Sequence, residues 1–258
     1  MKNHNITESH SPIIALALHD GHYIPPAFQS LSNLSEFERM REEDPYTAQF
    51  IERLHGNKVI VHTSRFFVDL NRPWQKAIYL EQEDAWGLKV WRERPSNELI
   101  DLIKSYYTSF YEQLGRLVNN CLKRFGYFVI LDIHSYNYRR KSPYEEDTSE
   151  DNPEINIGTQ HNDEKWHSAT ERFIAFLQSQ HLCHRHPDVR ENIKFKGGGL
   201  AQWIGENYKK QGFTLSIEFK KTFMDEWTGR ANIAHINEIS QLMADASLFL
   251  RGTLATRD

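Results

Sequence analysis

YFVILDIHSYN, residues 127–137, begins as an aliphatic and aromatic run and stops on a polar cluster at His134. A continuous apolar run of this length, entered directly from Gly126, predicts a strand covered on both faces, as in a sheet flanked by helices. Two other stretches behave alike. PIIALALHDGHYIPP (12–26) runs apolar as far as His19 and His22, and GFTLSIEF (212–219) carries Glu218 where its alternation calls for a buried residue. Three strands that each set an imidazole or a carboxylate at or near the carboxyl end describe an open α/β sheet with a site on its rim.

The intervening segments fit that frame. SNELIDLIKSYYTSFYEQLGRLVNNCLKRFG (96–126) predicts the clearest helix, with Ser96 or Asn97 as its cap and apolar residues at Leu99, Ile103, Tyr106, Phe110, Leu114 and Leu117. Gly126 ends it and the strand follows at once. Residues 29–55 predict two short helices separated near Pro45. NKVIVHTSRFFVDLNRP (57–73) predicts one strand at about 58–63 and a second at about 65–70. Residues 74–92 read as a loop or lid, and 139–155 as an exposed, charge-dense loop. INIGT, KWHSATERFIAFLQSQ and the segment 232–254 supply a short strand and two helices. Helices alternate with strands to the end and no linker divides the chain, so a flexible tail over 1–11 and a single α/β domain over 12–258 is the simplest organisation.

The totals narrow the function classes. At 258 residues, with 39% hydrophobic and 26% charged residues, the composition is that of an ordinary globular enzyme rather than a disordered chain. A net charge of −4 provides no field for nucleic acid or an anionic membrane, and neither is expected as a partner. The N-terminus lacks an apolar signal region and no apolar run is long enough to span a bilayer, so a cytoplasmic location is expected. Cys121 and Cys183 belong to no C-x-x-C pair, which argues against a thiolate metal site.

Several clusters carry possible chemistry. Two histidines with acids on a sheet rim suggest a zinc-type hydrolase. His134 follows a buried strand, and Asp132, on the same strand face, can orient its ring. His19 and His22 lie three apart, but Gly21 and two prolines favour a loop, so one of them is the better ligand. Glu42, Glu43 and Asp44 form either a solvated acidic face or the source of a carboxylate ligand. Arg65 and Arg72 can each grip a substrate carboxylate, and Asp69 can hold a neighbouring arginine straight. A buried Glu218 has the profile of a general base. KGGGLAQWIGENY (196–208) lacks phosphate-loop spacing, but its glycines permit close backbone approach to a ligand.

Taken in order, HDGH, EEDPYT, SRFFVDLNRP, LDIHS, KGGG and LSIEF resemble the N-formylglutamate amidohydrolase family over about residues 12–230. The resemblance implies a zinc-exopeptidase (phosphorylase/hydrolase)-like fold, a three-layer αβα sandwich with a mixed central sheet, related to metallocarboxypeptidases and aspartoacylase. It implies one zinc ion, or another divalent metal, on His19, His134 and an acid. Asp44 best matches that acid, with Glu43 adjacent and His22 in the slot where fold relatives carry a ligating glutamate. Glu218 matches the general base, Arg65 the group near the reacting carbonyl, and Asn71 with Arg72 the pair that holds the substrate carboxylate; His22 is a further candidate substrate contact. Where the deformylase pattern shows Tyr-His, this chain has Tyr107-Thr108. The implied substrate is a small carboxylate-bearing acyl-amino acid, and the implied setting is amino-acid metabolism, including histidine degradation. A metal-dependent carboxypeptidase acting on short peptides and a non-catalytic amino-acid-binding homologue are the alternatives.

Overall fold

The computed structural model describes residues 3–255. In chain order its elements are β1 (His4–Thr7), β2 (Ile13–Ala17), α1 (Pro26–Gln29), α2 (Glu36–Glu42), α3 (Thr47–Phe50), β3 (Asn57–Val61), α4 (Asn97–Phe125), β4 (Phe128–Tyr136), β5 (Ile155–Gly158), α5 (His167–Ser179), β6 (Val189–Glu191), α6 (Gly199–Tyr208), β7 (Gly212–Lys220) and α7 (Ile233–Ala255). The strands form one sheet in the order β1-β3-β2-β4-β7-β5-β6. Its centre, β3-β2-β4-β7, is parallel, whereas β1 joins β3 and β5 joins β7 antiparallel, so the sheet is mixed.

Side-chain alternation divides the core in two. Val129, Leu131 and Ile133 of β4 and Phe213, Leu215 and Ile217 of β7 face α3, α5 and α7. Ile14 and Leu16 of β2 with Phe128 and Ile130 of β4 face α4 and α6. The result is the expected αβα sandwich. Helix α4 begins where the Ser96 side chain accepts from the Leu99 amide and ends on Gly126 at φ 78°, the left-handed geometry that glycine adopts without steric cost.

Two expectations fail. Residues 4–7, assigned to a tail, form β1, whose registered pairing with β3 gives its backbone groups partners. Residues 65–70 are not a strand. The Ser64 carbonyl accepts from the Phe67 amide at 3.0 Å and its hydroxyl from the Phe66 amide at 3.1 Å, winding the chain into turns that bury Phe66, Phe67 and Leu70. The winding brings Arg65 and Asp69 together at 2.8 Å, which an extended segment would not do. Among the described residues no helix is long and apolar enough to cross a membrane.

Candidate active site

Parallel pairing of β2 with β4 sets their carboxyl ends side by side, and His19 and His134 leave those ends with ring centroids 4.8 Å apart. Asp44 reaches them from the turn between α2 and α3, which is tied to β2 by a 2.9 Å hydrogen bond from the Asp44 amide to the His19 carbonyl. Its Oδ2 lies 3.2 Å from His19 Nδ1 and 3.1 Å from His134 Nδ1, and the Ser135 hydroxyl donates to its Oδ1 at 3.3 Å. All three side chains are buried, and one donor atom from each lies within 4.8 Å of the others. Lys221 secures the turn from behind, its Nζ donating to the carbonyls of Arg41 at 2.6 Å and Glu43 at 2.7 Å.

The opposite ring nitrogens meet carboxylates. His19 Nε2 is 2.7 Å from Asp69 and His134 Nε2 is 2.9 Å from Asp132. Each Nδ1 therefore aims at the shared centre while an acid holds the far side of the ring, the arrangement that orients metal-binding imidazoles. Burial opposes charge on Asp44, yet hydrogen bonds from His134 and His19 hold its carboxyl well below the usual range. Burial likewise opposes a charged His134, but Asp132 and Asp44 raise it well above the usual imidazole value. Two nitrogens and one carboxylate oxygen, with carboxylates behind the rings, fit a catalytic divalent metal site that keeps a position for water. His19, Asp44 and His134 are the residues that would hold it.

Glu218 is the register partner of His134 across β4 and β7, so the two side chains rise from the same sheet face. It lines a cavity of about 380 Å³ together with the three ligand candidates, Arg65, Asn71 and Arg72. Burial pushes its carboxyl up to about 8. Asp69 organises the far wall: besides His19 it accepts from Arg65 Nη2 at 2.8 Å, from the Asn71 amide at 2.8 Å and from the Tyr79 hydroxyl. Arg72 lies over the Tyr79 ring, 4.5 Å from its centroid, and donates to the Asp84 carbonyl at 2.9 Å.

Most of the expected site residues converge on this cavity; two go elsewhere. His22, expected at substrate or metal, instead contacts Glu43 at 2.5 Å and does not line the cavity. Glu43 is occupied by His22 and the Ser64 hydroxyl, which leaves Asp44 as the acid at the centre. Asn71 lines the cavity, but its amide already lies 3.1 Å from His134 Nε2 and accepts from the Leu200 amide at 3.0 Å. Gly198 makes that placement possible, since a Cβ there would stand 2.4 Å from the Asn71 side chain. The sequence reading missed Arg140, Lys194 and Lys221 on the cavity wall. The basic run after β4 and the lysines flanking the triple glycine were the available signals.

Comparison with known proteins identifies the family and the fold. The profile of the N-formylglutamate amidohydrolase family matches residues 11–224. A protein named N-formylglutamate deformylase from Pseudomonas aeruginosa is 26% identical over 249 residues, covering 89% of this chain and 88% of its own. The crystal structure of N-formylglutamate amidohydrolase from Ralstonia eutropha JMP134 superposes with a TM-score of 0.76 over 98% of this chain and 100% of that one, at 15% identity. A gene product from Agrobacterium tumefaciens gives a TM-score of 0.69 at 15% identity, covering 99% of this chain and 96% of that one. The chain belongs to the N-formylglutamate amidohydrolase family and is an amide-cleaving hydrolase.

Proposed function

We propose that this hydrolase is metal-dependent, with zinc as the expected ion, and that it cleaves the amide bond of an N-formyl or N-acyl amino acid, N-formylglutamate being the leading substrate. The observation that carries the reading is Glu218: a cavity-lining carboxyl, raised by burial, on the strand register of a buried His–Asp–His set. When bound, a divalent ion of this kind supplies Lewis acidity and lowers the pKa of a water toward about 7.

The chain's own groups supply the rest. Glu218 takes the proton of the attacking water as the new C–O bond forms, and delivers it to the amide nitrogen as the C–N bond breaks. Positive charge at the adjacent ligand set favours its ionised, basic form. Arg65, held straight by Asp69 and Tyr79, faces the charge that develops on the carbonyl oxygen. Arg72, with Asn71 beside it, binds the carboxylate of the amino-acid part and sets its register. For N-formylglutamate the products are formate and glutamate. His22, engaged with Glu43, has no part in this scheme.

Two measurements test it. Purified protein should contain about one equivalent of divalent metal by elemental analysis, and chelation should abolish formate release from N-formylglutamate until metal is restored. Glu218→Gln should keep the metal and lose about 10³-fold in kcat. Full activity in chelated enzyme, or a Glu218→Gln variant as active as wild type, would overturn the reading.

A further inference from the structure

The cavity is lined by more cations than the catalytic scheme uses, and most are already paired. Arg65 and Arg72 contact Asp69, Arg140 meets Glu42 at 3.1 Å, and Lys221 is spent on two backbone carbonyls. Lys194 differs. Among the described residues no carboxylate lies within ion-pair distance of its ammonium; its hydrogen bond goes to a neutral amide, Asn152 Oδ1, at 2.6 Å. It is half-buried, sits 5.1 Å from the centroid of the Tyr136 ring, and feels the charges of Asp147, Arg140, Asp151 and Glu218 without touching any of them.

Its backbone is also fixed. Asn156, fully buried on β5, stands in register with Glu218, and its Oδ1 accepts from the amides of Ile193, Lys194 and Phe195 at 3.1, 2.9 and 3.4 Å. Its Nδ2 donates to the Phe195 carbonyl at 2.7 Å. Three and four residues beyond Phe195, Gly198 and Gly199 close against Asn71 and Arg72. One buried amide thus ties the Lys194 segment to the strand position of the general base, and the glycines tie it to the carboxylate clamp.

We propose that Lys194 is the specificity-determining residue that receives the second carboxylate of an acidic N-acyl amino acid. The assignment rests on the hydrolase reading above, in which Arg72 takes the first carboxylate. Burial pulls the Lys194 ammonium below its ordinary pKa, so a bound anion restores the stabilisation that water would otherwise give. A cation with no carboxylate at contact distance, half out of water and set on a rigid loop, discriminates, because an uncharged ligand leaves it without a direct ion-pair partner.

The test compares N-formylglutamate with N-formylglutamine, which differ by one charge at nearly constant shape, using metal-loaded enzyme. Wild type should prefer the acid, and Lys194→Met should lower the ratio of kcat/KM for the two substrates by about 30-fold or more. Lys194→Arg should largely restore that ratio. Calorimetric titration with glutamate and glutamine should show the same loss of preference in equilibrium binding, and thermal melting checks that the variant is folded. An unchanged ratio in folded Lys194→Met, or a wild type indifferent to the charge, overturns the assignment. If neither formyl compound is hydrolysed but Lys194→Met abolishes the binding preference, the hydrolase reading fails and the assignment stands. If hydrolysis proceeds and the ratio is unmoved, the reverse holds.

Discussion

The two faces of the central strand pair, β4 and β7, differ in chemistry. Toward α3, α5 and α7, β4 and β7 present apolar side chains from Val129 and Phe213 to Ile133 and Phe219, and this face turns polar only at Ser135, at the rim. Toward α4 and α6 the same strands begin with Phe128 and Ile130 and then turn polar at Asp132, His134, Thr214, Ser216 and Glu218. Several of these groups sit uneasily: the carboxylate oxygens of Asp132 and the hydroxyls of Thr214 and Ser216 are buried without a well-directed hydrogen bond. A fold selected only for stability would not place them there, because buried polar groups lacking partners cost free energy. One face holds the sheet together; the other yields stability to hold the candidate site.

Adjacent residues can separate these roles. Ile133 and His134 are neighbours on β4 and point to opposite faces. Ile133→Ala should cost about 3 kcal/mol of unfolding free energy through lost burial and a cavity, while leaving metal content and KM near wild type. His134→Ala should show the converse pattern, with metal lost and stability reduced far less. Chemical denaturation and elemental analysis on the same preparations would decide. If Ile133→Ala lost its metal as readily as His134→Ala, the faces would not be functionally separate.

The contrast also explains what was legible in the sequence. A strand that is apolar on both sides until it nears His19 or His134 announces a rim site, and Glu218 stands out as the ionisable residue in a run, 212–219, whose other polar positions are Thr214 and Ser216. Asp44 was recognisable only as one of three neighbouring acids, since the choice among them depends on a turn whose direction is set by Pro45, Lys221 and the backbone bond to His19. The 65–70 segment was misread because Phe66, Phe67 and Val68 have strand-forming side chains, whereas its conformation is decided by Ser64 and by packing under α4. β1 and β6 gave no signal: four and three residues long, they owe their form to a neighbouring strand rather than to a hydrophobic pattern. Arg140 and Lys194 lie in segments without regular structure, where periodicity carries no information about which side chains converge.

A smaller effect sharpens the comparison at Asp132. Its carboxylate lies 2.9 Å from His134 Nε2, the place from which, in the metal-dependent scheme proposed above, it would orient the ring and raise its basicity toward a metal. Asp132→Asn should weaken metal affinity by roughly 10- to 100-fold, read by competition with a chromogenic chelator. The same variant should unfold no more easily than wild type, since it removes a buried charge that has little else to bond. A clear loss of stability with unchanged metal affinity would make Asp132 a structural residue instead.

The smallest effect concerns the cost of Glu218 itself. Burial lifts its carboxyl from the ordinary 4.5 to about 8, so in metal-free protein the folded state holds that proton more tightly than the unfolded chain does. Below pH 4.5 both states are protonated and the residue is neutral to stability. Between 4.5 and 8 the unfolded chain ionises first, and stability falls as pH rises, reaching its full deficit above 8. Glu218→Gln cannot ionise and escapes that deficit. Chelated Glu218→Gln should therefore melt about 5 °C above chelated wild type at pH 9, with the gap closing toward pH 4. The cavity side of Glu218 meets water, which keeps the gain to about 1–2 kcal/mol. A melting difference independent of pH would mean that shape rather than charge distinguishes the two side chains, and the polar face would then carry its acid at no electrostatic cost.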